Sequence, residues 1–361
     1  MQQRDFIDLI SGQRRGPWAA FLRLWLRYAS WWFAMGAVTR LACYRLGICR
    51  RHSAGIAVIC VGNLTTGGTG KTPAVAWVVK ALQAMGRKPC IVSRGYKSEG
   101  AGNDEQRVLE ELCPGVPHIQ DPDRVAAARR AKAEGADVVV LDDGFSHLRL
   151  KRDLDILLFD SLNPFGYGRM LPRGLMREPL RSVRRARFAV FSRADVAKPE
   201  RLRDLEDTIR CIGFTGDVAH AAHVPVRLVQ LGATREVPLD VLGGVIVAPF
   251  CGIGNPTGFQ RTLEARGATV SPVGVLQLDD HQRMDAGVWT RQLEPFLRAS
   301  KEAGAALAVC TQKDAVKLRD LAEQLEPALP IYELRVEFRL LKGEDELKRV
   351  LSVVLDKSKQ S

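Results

Sequence analysis

Residues 62–72 read Gly-Asn-Leu-Thr-Thr-Gly-Gly-Thr-Gly-Lys-Thr. An apolar segment at 55–61 precedes them and reads as a buried strand. Pro73 and an apolar-periodic run at 74–85 follow and read as a helix. Strand, glycine-rich turn, Lys-Thr and helix form a phosphate-binding loop. Its backbone N–H groups point inward at an anion, and the helix N-terminus adds positive potential. The cradle is Thr65, Thr66, Gly67, Gly68, Thr69, Gly70, Lys71 and Thr72. In it Lys71 reaches the β/γ-phosphates and the Thr72 hydroxyl sits on Mg²⁺. The strict pattern has Gly where this chain has Thr65, but Gly-Thr-Gly-Lys-Thr after a strand is intact. The ligands this implies are ATP and Mg²⁺.

Some 70 residues downstream, Val138 to Leu141 is apolar and ends in Asp142-Asp143. A carboxylate at such a strand end can hold Mg²⁺ directly or through water. His147, four residues past Asp143, shares that neighbourhood. Arg94 follows another strand end, in Ser93-Arg-Gly-Tyr96, and can face phosphate. A basic loop carries Arg169, Arg173, Arg177, Arg181, Arg184 and Arg185, enough charge to clamp an anionic substrate. Transfer to an alcohol also needs a group that accepts the hydroxyl proton. Asp104 and Glu105, in a polar stretch read as a loop over 97–106, and His281, after two carboxylates, are the candidates.

Elements must place these groups. From residue 53 on, near-continuous apolar strands alternate with helices, including a helix over 123–134. This implies an α/β fold: a P-loop NTPase-like parallel sheet with helices on both faces, whose ligands collect at the carboxyl ends of the strands. Near residue 213 the pattern changes: 216–237 reads as short-stranded and a second, smaller α/β set begins. The expected organisation is an N-terminal segment at 1–52, a P-loop core at 53–212 and a second α/β lobe at 213–361 closing the active-site cleft. The length of 361 residues suits two domains. Eight scattered cysteines, with no C-x-x-C pair, speak against a zinc site or a disulfide framework.

Seven motifs occur in a fixed order. They are 65–73, Ser93-Arg-Gly-Tyr96, Asp142-Asp-Gly-Phe-Ser-His147, Leu171-Pro-Arg-Gly174 with Arg177-Glu-Pro179, Gly252-Ile-Gly-Asn-Pro256, Asp280-His-Gln282 and Lys313-Asp-Ala-Val-Lys317. Together they resemble the tetraacyldisaccharide 4'-kinase (lipid A 4'-kinase) family over about residues 15 to 340. The resemblance implies transfer of the ATP γ-phosphate to the 4'-hydroxyl of a tetraacylated glucosamine disaccharide 1-phosphate, at the cytoplasmic face of the bacterial inner membrane. It makes Asp104 the base, with His281 as its partner. It makes Asp142, Glu105 and Glu178 the metal candidates beside Thr72, and Arg94, Arg124 and Arg177 the phosphate candidates, with Asp143 and His147 in the substrate set.

Such a substrate gives the first 50 residues a purpose. The net charge is +12, and residues 1–55 supply +7 of it from nine Arg and two Asp. Trp18, Phe21, Leu22, Trp25, Leu26, Trp32 and Phe33 recur there at helical spacing, with Arg23 and Arg27 among them. The longest uncharged piece, 28–39, is far short of the roughly 20 residues a spanning helix needs. Trp beside Arg fits a helix lying in the membrane interface, peripheral or monotopic, and favours lipid over nucleic acid as the anionic partner. No obligate protein partner is evident. The alternatives are membrane-associated P-loop ATPases of the partitioning type, GTPases of the metallochaperone type and a nucleic-acid-binding ATPase. The first carry Lys where this chain has Thr66. For the second, Ser192-Arg-Ala-Asp195 matches the guanine signature only at Asp195.

Overall fold

The computed structural model describes residues 3–95, 104–233, 235–253, 256–279, 284–322 and 326–359. The chain divides into two units. The first holds Met1–Glu99, Leu112–Ala222 and Phe338–Ser361; the second holds Gly100–Glu111 and His223–Glu337. This differs from a simple division at residue 213 in three ways, the first being that the crossing falls after Ala222. A short segment around residue 104 groups with the second unit, and the last 24 residues return to the first.

In the first unit, β1 (Ala57–Asn63) lies between β4 (Val138–Asp142) and β5 (Leu154–Asp160), parallel to both. The sheet continues through β2 (Pro89–Ser93) to β3 (His118–Gln120) on one side. On the other it continues through β6 (Phe188–Ser192) to the start of β7 (Asp217–Gln230). Every residue of β1, β4 and β6 is buried. Both faces of these strands are therefore covered, which is why the sequence shows unbroken apolar runs instead of alternation. Val58, Cys60, Val139, Leu141, Leu157 and Phe159 build the core on one face. Ala57, Ile59, Val138, Val140, Ile156 and Leu158 are buried on the other. Helices α3 (Lys71–Ala84), α5 (Arg124–Ala133), α6 (Pro199–Cys211) and α11 (Glu344–Lys359) belong to this unit. The side chain of Asp123 caps α5, accepting from the backbone N–H groups of Val125 and Ala126.

The same unit carries α1 (Gln3–Ser11) and α2 (Pro17–Arg45). At 29 residues α2 is about 43 Å long. Trp18, Phe21, Trp25, Tyr28, Trp32 and Met35 fall at steps of three and four along it, and all are exposed. Another face meets the protein: Ser30 is buried and donates to the Met170 carbonyl at 2.8 Å. Arg173 donates to the Ile10 carbonyl at 2.7 Å, tying α1 to the same loop. Among the described residues no helix is long and apolar enough to cross a membrane.

In the second unit, parallel β12 (Leu307–Thr311) lies between β9 (Ile246–Cys251) and β13 (Ile331–Lys342). β10 (Thr269–Val270) and β11 (Leu276–Gln277) pair with β9, and β8 (Glu236–Val237) pairs antiparallel with the end of β7. Alternate residues of the central strands face two cores. Ala248, Phe250, Ala308 and Cys310 join one, and Val247, Cys251, Leu307 and Val309 join the other. The helices are α4 (Asp104–Leu112), α7 (Pro256–Glu264), α8 (Ala286–Val288) with α9 (Glu294–Glu302), and α10 (Gln312–Ala322).

Two local expectations are corrected. Residues 104–106 were expected in a loop; they open helix α4, whose acidic first turn complements the helix dipole and whose Val108 and Leu109 are buried. Residues 217–230 form one strand of 14 residues rather than several short ones. Pro225 and two histidines interrupt its apolar pattern, which is why it reads as broken.

Candidate active site

β1 ends at Asn63 and α3 begins at Lys71, so the eight-residue cradle lies at the carboxyl edge of the first unit's sheet. Gly70 precedes α3 with φ of 81°, and Gly67 has φ of 112°, backbone that other residues adopt only with strain. A Cβ at Gly67 or Gly68 would have no atom within 4 Å, so the loop presents open backbone to its ligand. The rest of the loop is braced. Asn63 Nδ2 donates to Thr69 Oγ1 at 3.1 Å and to Thr65 Oγ1 at 3.5 Å. Ser192 Oγ donates to the Thr69 carbonyl at 2.9 Å and Arg193 to the Gly68 carbonyl at 3.0 Å. Thr65, the departure from the strict pattern, is buried and bridged to Met176, while the Thr66 N–H donates to the Leu175 carbonyl at 2.7 Å.

Lys71 does not point into empty space. Its Nζ donates to Asn63 Oδ1 at 3.1 Å and lies 3.2 Å from Asp143 Oδ1. Arg177 grips the same carboxylate with two bonds of 2.6 and 2.7 Å and also donates to Asn63 Oδ1 at 2.5 Å. Burial by itself would raise the Asp143 carboxyl, but Lys71 and Arg177 outweigh it and hold the group well below the usual carboxylate range. Asp143 sits at φ 54°, in the turn after β4, and Asp142 at the strand end is buried. Burial and nearby Arg94 lower the Arg124 guanidinium, while Asp143 and Asp142 act in the opposite sense, so Arg124 lies in the field of this carboxylate pair. His147 is lowered to about 4 by burial and by Arg124 and Arg152, which keeps the ring neutral at pH 7. Its Nε2 is buried with no hydrogen-bond partner.

Glu178 is fully buried beside two arginines, and its Oε1 has no hydrogen-bond partner. Arg185 donates to Oε2 at 2.8 Å, and Arg40 of α2 approaches Oε1 at 3.9 Å. Arg185 also stacks 4.1 Å above the Phe145 ring, so Glu178 braces the turn that carries Asp142 and Asp143.

In the second unit, Asp104 and Glu105 are the first residues of α4. Asp104 Oδ2 lies 3.4 Å from Lys317 Nζ. His281 lies outside the described residues. Among the described residues no group of three or more His, Cys, Asp and Glu converges as a metal site. The donors beside the P-loop, the Asp142 carboxylate and the Thr72 hydroxyl, are hard oxygens of the kind Mg²⁺ accepts.

Sequence reasoning did not give Asn63, Ser192 and Arg193 their work. Each stands at the carboxyl end of β1 or β6, and that position was the available signal. Asp195, the one match to the guanine signature, is exposed, while its neighbours Ser192 and Arg193 are spent on bracing the P-loop.

With this geometry in place, similarity to known proteins decides the family. Residues 22–356 match the model of the tetraacyldisaccharide-1-P 4'-kinases. The chain belongs to the tetraacyldisaccharide 4'-kinase family. A tetraacyldisaccharide 4'-kinase of Anaeromyxobacter sp. (strain K) is 40% identical over 95% of this chain and 93% of its own. One from Halothermothrix orenii is 34% identical over 86% of both chains. Among solved structures, LpxK of Aquifex aeolicus in complex with ATP matches with a TM-score of 0.70 at 25% identity, over 92% of this chain and 99% of that one. Membership in a kinase family removes the partitioning, metallochaperone and nucleic-acid readings.

Proposed function

We infer that the protein is the ATP-dependent kinase of lipid A synthesis that phosphorylates the 4'-hydroxyl of a tetraacyl glucosamine disaccharide 1-phosphate. The observation that carries this reading is a P-loop with open glycine backbone and a cationic Lys71 in a chain of this kinase family. Thr65 to Thr72 cradle the triphosphate. Lys71 leaves Asp143 for the β/γ-phosphates, and Arg94, Arg124 and Arg177 offset the remaining charge. Thr72 and Asp142 would hold Mg²⁺, which when bound neutralises charge on the phosphate oxygens. Glu105, next to the base, is a further oxygen donor of that kind. The neutral His147, with its free Nε2, hydrogen-bonds the sugar.

Asp104, with His281, takes the proton of the 4'-hydroxyl. The hydroxyl oxygen forms the new bond to the γ-phosphorus, the bond from that phosphorus to the β-phosphate oxygen breaks, and ADP leaves. The acceptor is a lipid, so the enzyme works at a bilayer surface, the cytoplasmic face of the inner membrane. The exposed aromatic stripe of α2 and the arginines around it support this placement.

The test is transfer of label from γ-labelled ATP to tetraacyldisaccharide 1-phosphate in detergent micelles, for the parent, Lys71→Ala and Asp104→Ala. Labelled lipid from the parent and a loss of at least about 10²-fold in each variant is the expected result. A folded parent that hydrolyses ATP without labelling the lipid removes the substrate assignment. Full activity in Asp104→Ala removes the base.

A further inference from the structure

Lys317 is a lysine almost fully withdrawn from water, with a side chain only 4% exposed. A buried ammonium is tolerated when carboxylates surround it. Two do. Asp314, one helical turn back on α10, approaches at 4.0 Å, and Asp104 at the start of α4 lies nearer, at 3.4 Å. Asp314 is itself buried and occupied. Both its oxygens accept from the Gly252 N–H, at 3.0 and 3.1 Å, and Oδ2 also accepts from Thr311 Oγ1 at 2.5 Å. It therefore fixes α10 to the ends of β9 and β12 and sets the direction in which Lys317 extends. Burial pushes the Asp314 carboxyl up, and the Thr311 bond and Lys317 counter it, as expected of a group whose charge depends on these partners.

Helix α4 is laid against α10 along one face. Residues 104, 107 and 111 recur at helical steps. Asp104 meets Lys317, Arg107 donates to the Val316 carbonyl at 3.2 Å, and Glu111 accepts from Gln312 at 2.9 Å and pairs with Arg319 and Arg335. Arg107 and Glu111 fix the helix. Lys317 alone of these partners touches the Asp104 side chain.

We propose that Lys317, aimed by Asp314, is a positioning residue for catalysis: it holds Asp104 by Oδ2 and leaves Oδ1 directed outward to receive the hydroxyl proton. This gives Asp314 and Lys317 of the Lys313-Asp-Ala-Val-Lys317 motif a function, and it rests on the reading of Asp104 as base. A general base works only within hydrogen-bond reach of its proton, and a shift of about 1 Å costs about 10²-fold in rate.

The experiment is steady-state phosphoryl transfer by the full chain, with KM for ATP and for the lipid measured separately, for Lys317→Met, Lys317→Arg, Asp104→Asn and the Lys317→Met/Asp104→Asn double variant. Lys317→Met should lose about 10²-fold in kcat while both KM values stay within about twofold. Lys317→Arg should recover part of the loss, and the double variant should be no slower than Asp104→Asn. A Lys317→Met enzyme with parental kcat beside an inactive Asp104→Asn overturns the positioning role and leaves the base in place. An active Asp104→Asn overturns both. Removing one charge can unfold the unit, so Lys317→Met/Asp314→Asn, which removes both charges of the α10 pair, is made as well. Folding of each variant is checked by nucleotide binding and thermal melting. A folded double-neutral variant with parental kcat also overturns the proposal.

Discussion

Lys71 has a carboxylate partner within the protein. Asp143, with Arg177 and Asn63, occupies the ammonium that the proposed mechanism sends to the β/γ-phosphates. Triphosphate binding is therefore an exchange of anions, and its free energy is a difference between two sets of charge-assisted bonds. Asp143→Asn removes the internal competitor. Such a variant should bind metal-free ATP more tightly than the parent, by several-fold at low salt, yet turn over at least tenfold more slowly because Arg177 and the turn lose their anchor. Titration calorimetry and the label-transfer assay report the two changes, and weaker ATP binding by the variant would show that the Lys71–Asp143 pair does not compete. At this scale the phosphate-binding loop was legible, because Gly70, Lys71 and Thr72 follow an apolar strand at a fixed spacing, and the structure has that strand, turn and helix. The surroundings of Glu178 were not legible: the structure places it beside Arg185 and Arg40, contacts that depend on long-range packing.

Helix α2 has two different faces. One is tied down through Ser30 and Met170, and through Arg40 and Glu178. The other leaves Trp18, Phe21, Trp25, Tyr28, Trp32 and Met35 exposed in a line. Trp18 is 64% and Trp25 63% exposed, far more than core aromatics allow, which is the pattern the proposed seat in a bilayer interface requires. Trp25→Glu/Trp32→Glu should abolish sedimentation with anionic vesicles while leaving the thermal melting temperature within about 2 °C, because neither ring packs on the core. Persistent vesicle binding would move the anchor elsewhere. The sequence revealed this helix by its period and the parallel strands by their apolar runs. It misplaced the start of α4 and the extent of β7 for opposite reasons. A polar helix start resembles a loop, and Pro225 makes a long strand look like several short ones.

The chain leaves the first unit in the middle of β7 and comes back to it in the middle of β13, ending in α11. No composition shift marks the return, so reading the chain from one end to the other assigned its last 24 residues to the second lobe. In α11, Leu347, Val350, Leu351, Val354 and Leu355 are buried, and Arg87 reaches Asp356 at 4.0 Å. Each buried aliphatic side chain contributes about 1.5–3 kcal/mol against a total stability of about 5–15 kcal/mol. A stop codon at Glu344 should therefore unfold the nucleotide-binding unit, seen as loss of ATP binding and of its melting transition; retention of both would show α11 to be dispensable. The same connectivity has a consequence for biosynthesis. The P-loop leaves the ribosome before the whole second unit, and the helix that completes its own unit leaves after it. In between, the nascent chain carries a phosphate cradle on an unfinished sheet, with the aromatic face of α2 already made. The cradle is thus made long before the unit that holds it can close, and the chain cannot consume ATP until synthesis has passed through the whole second unit.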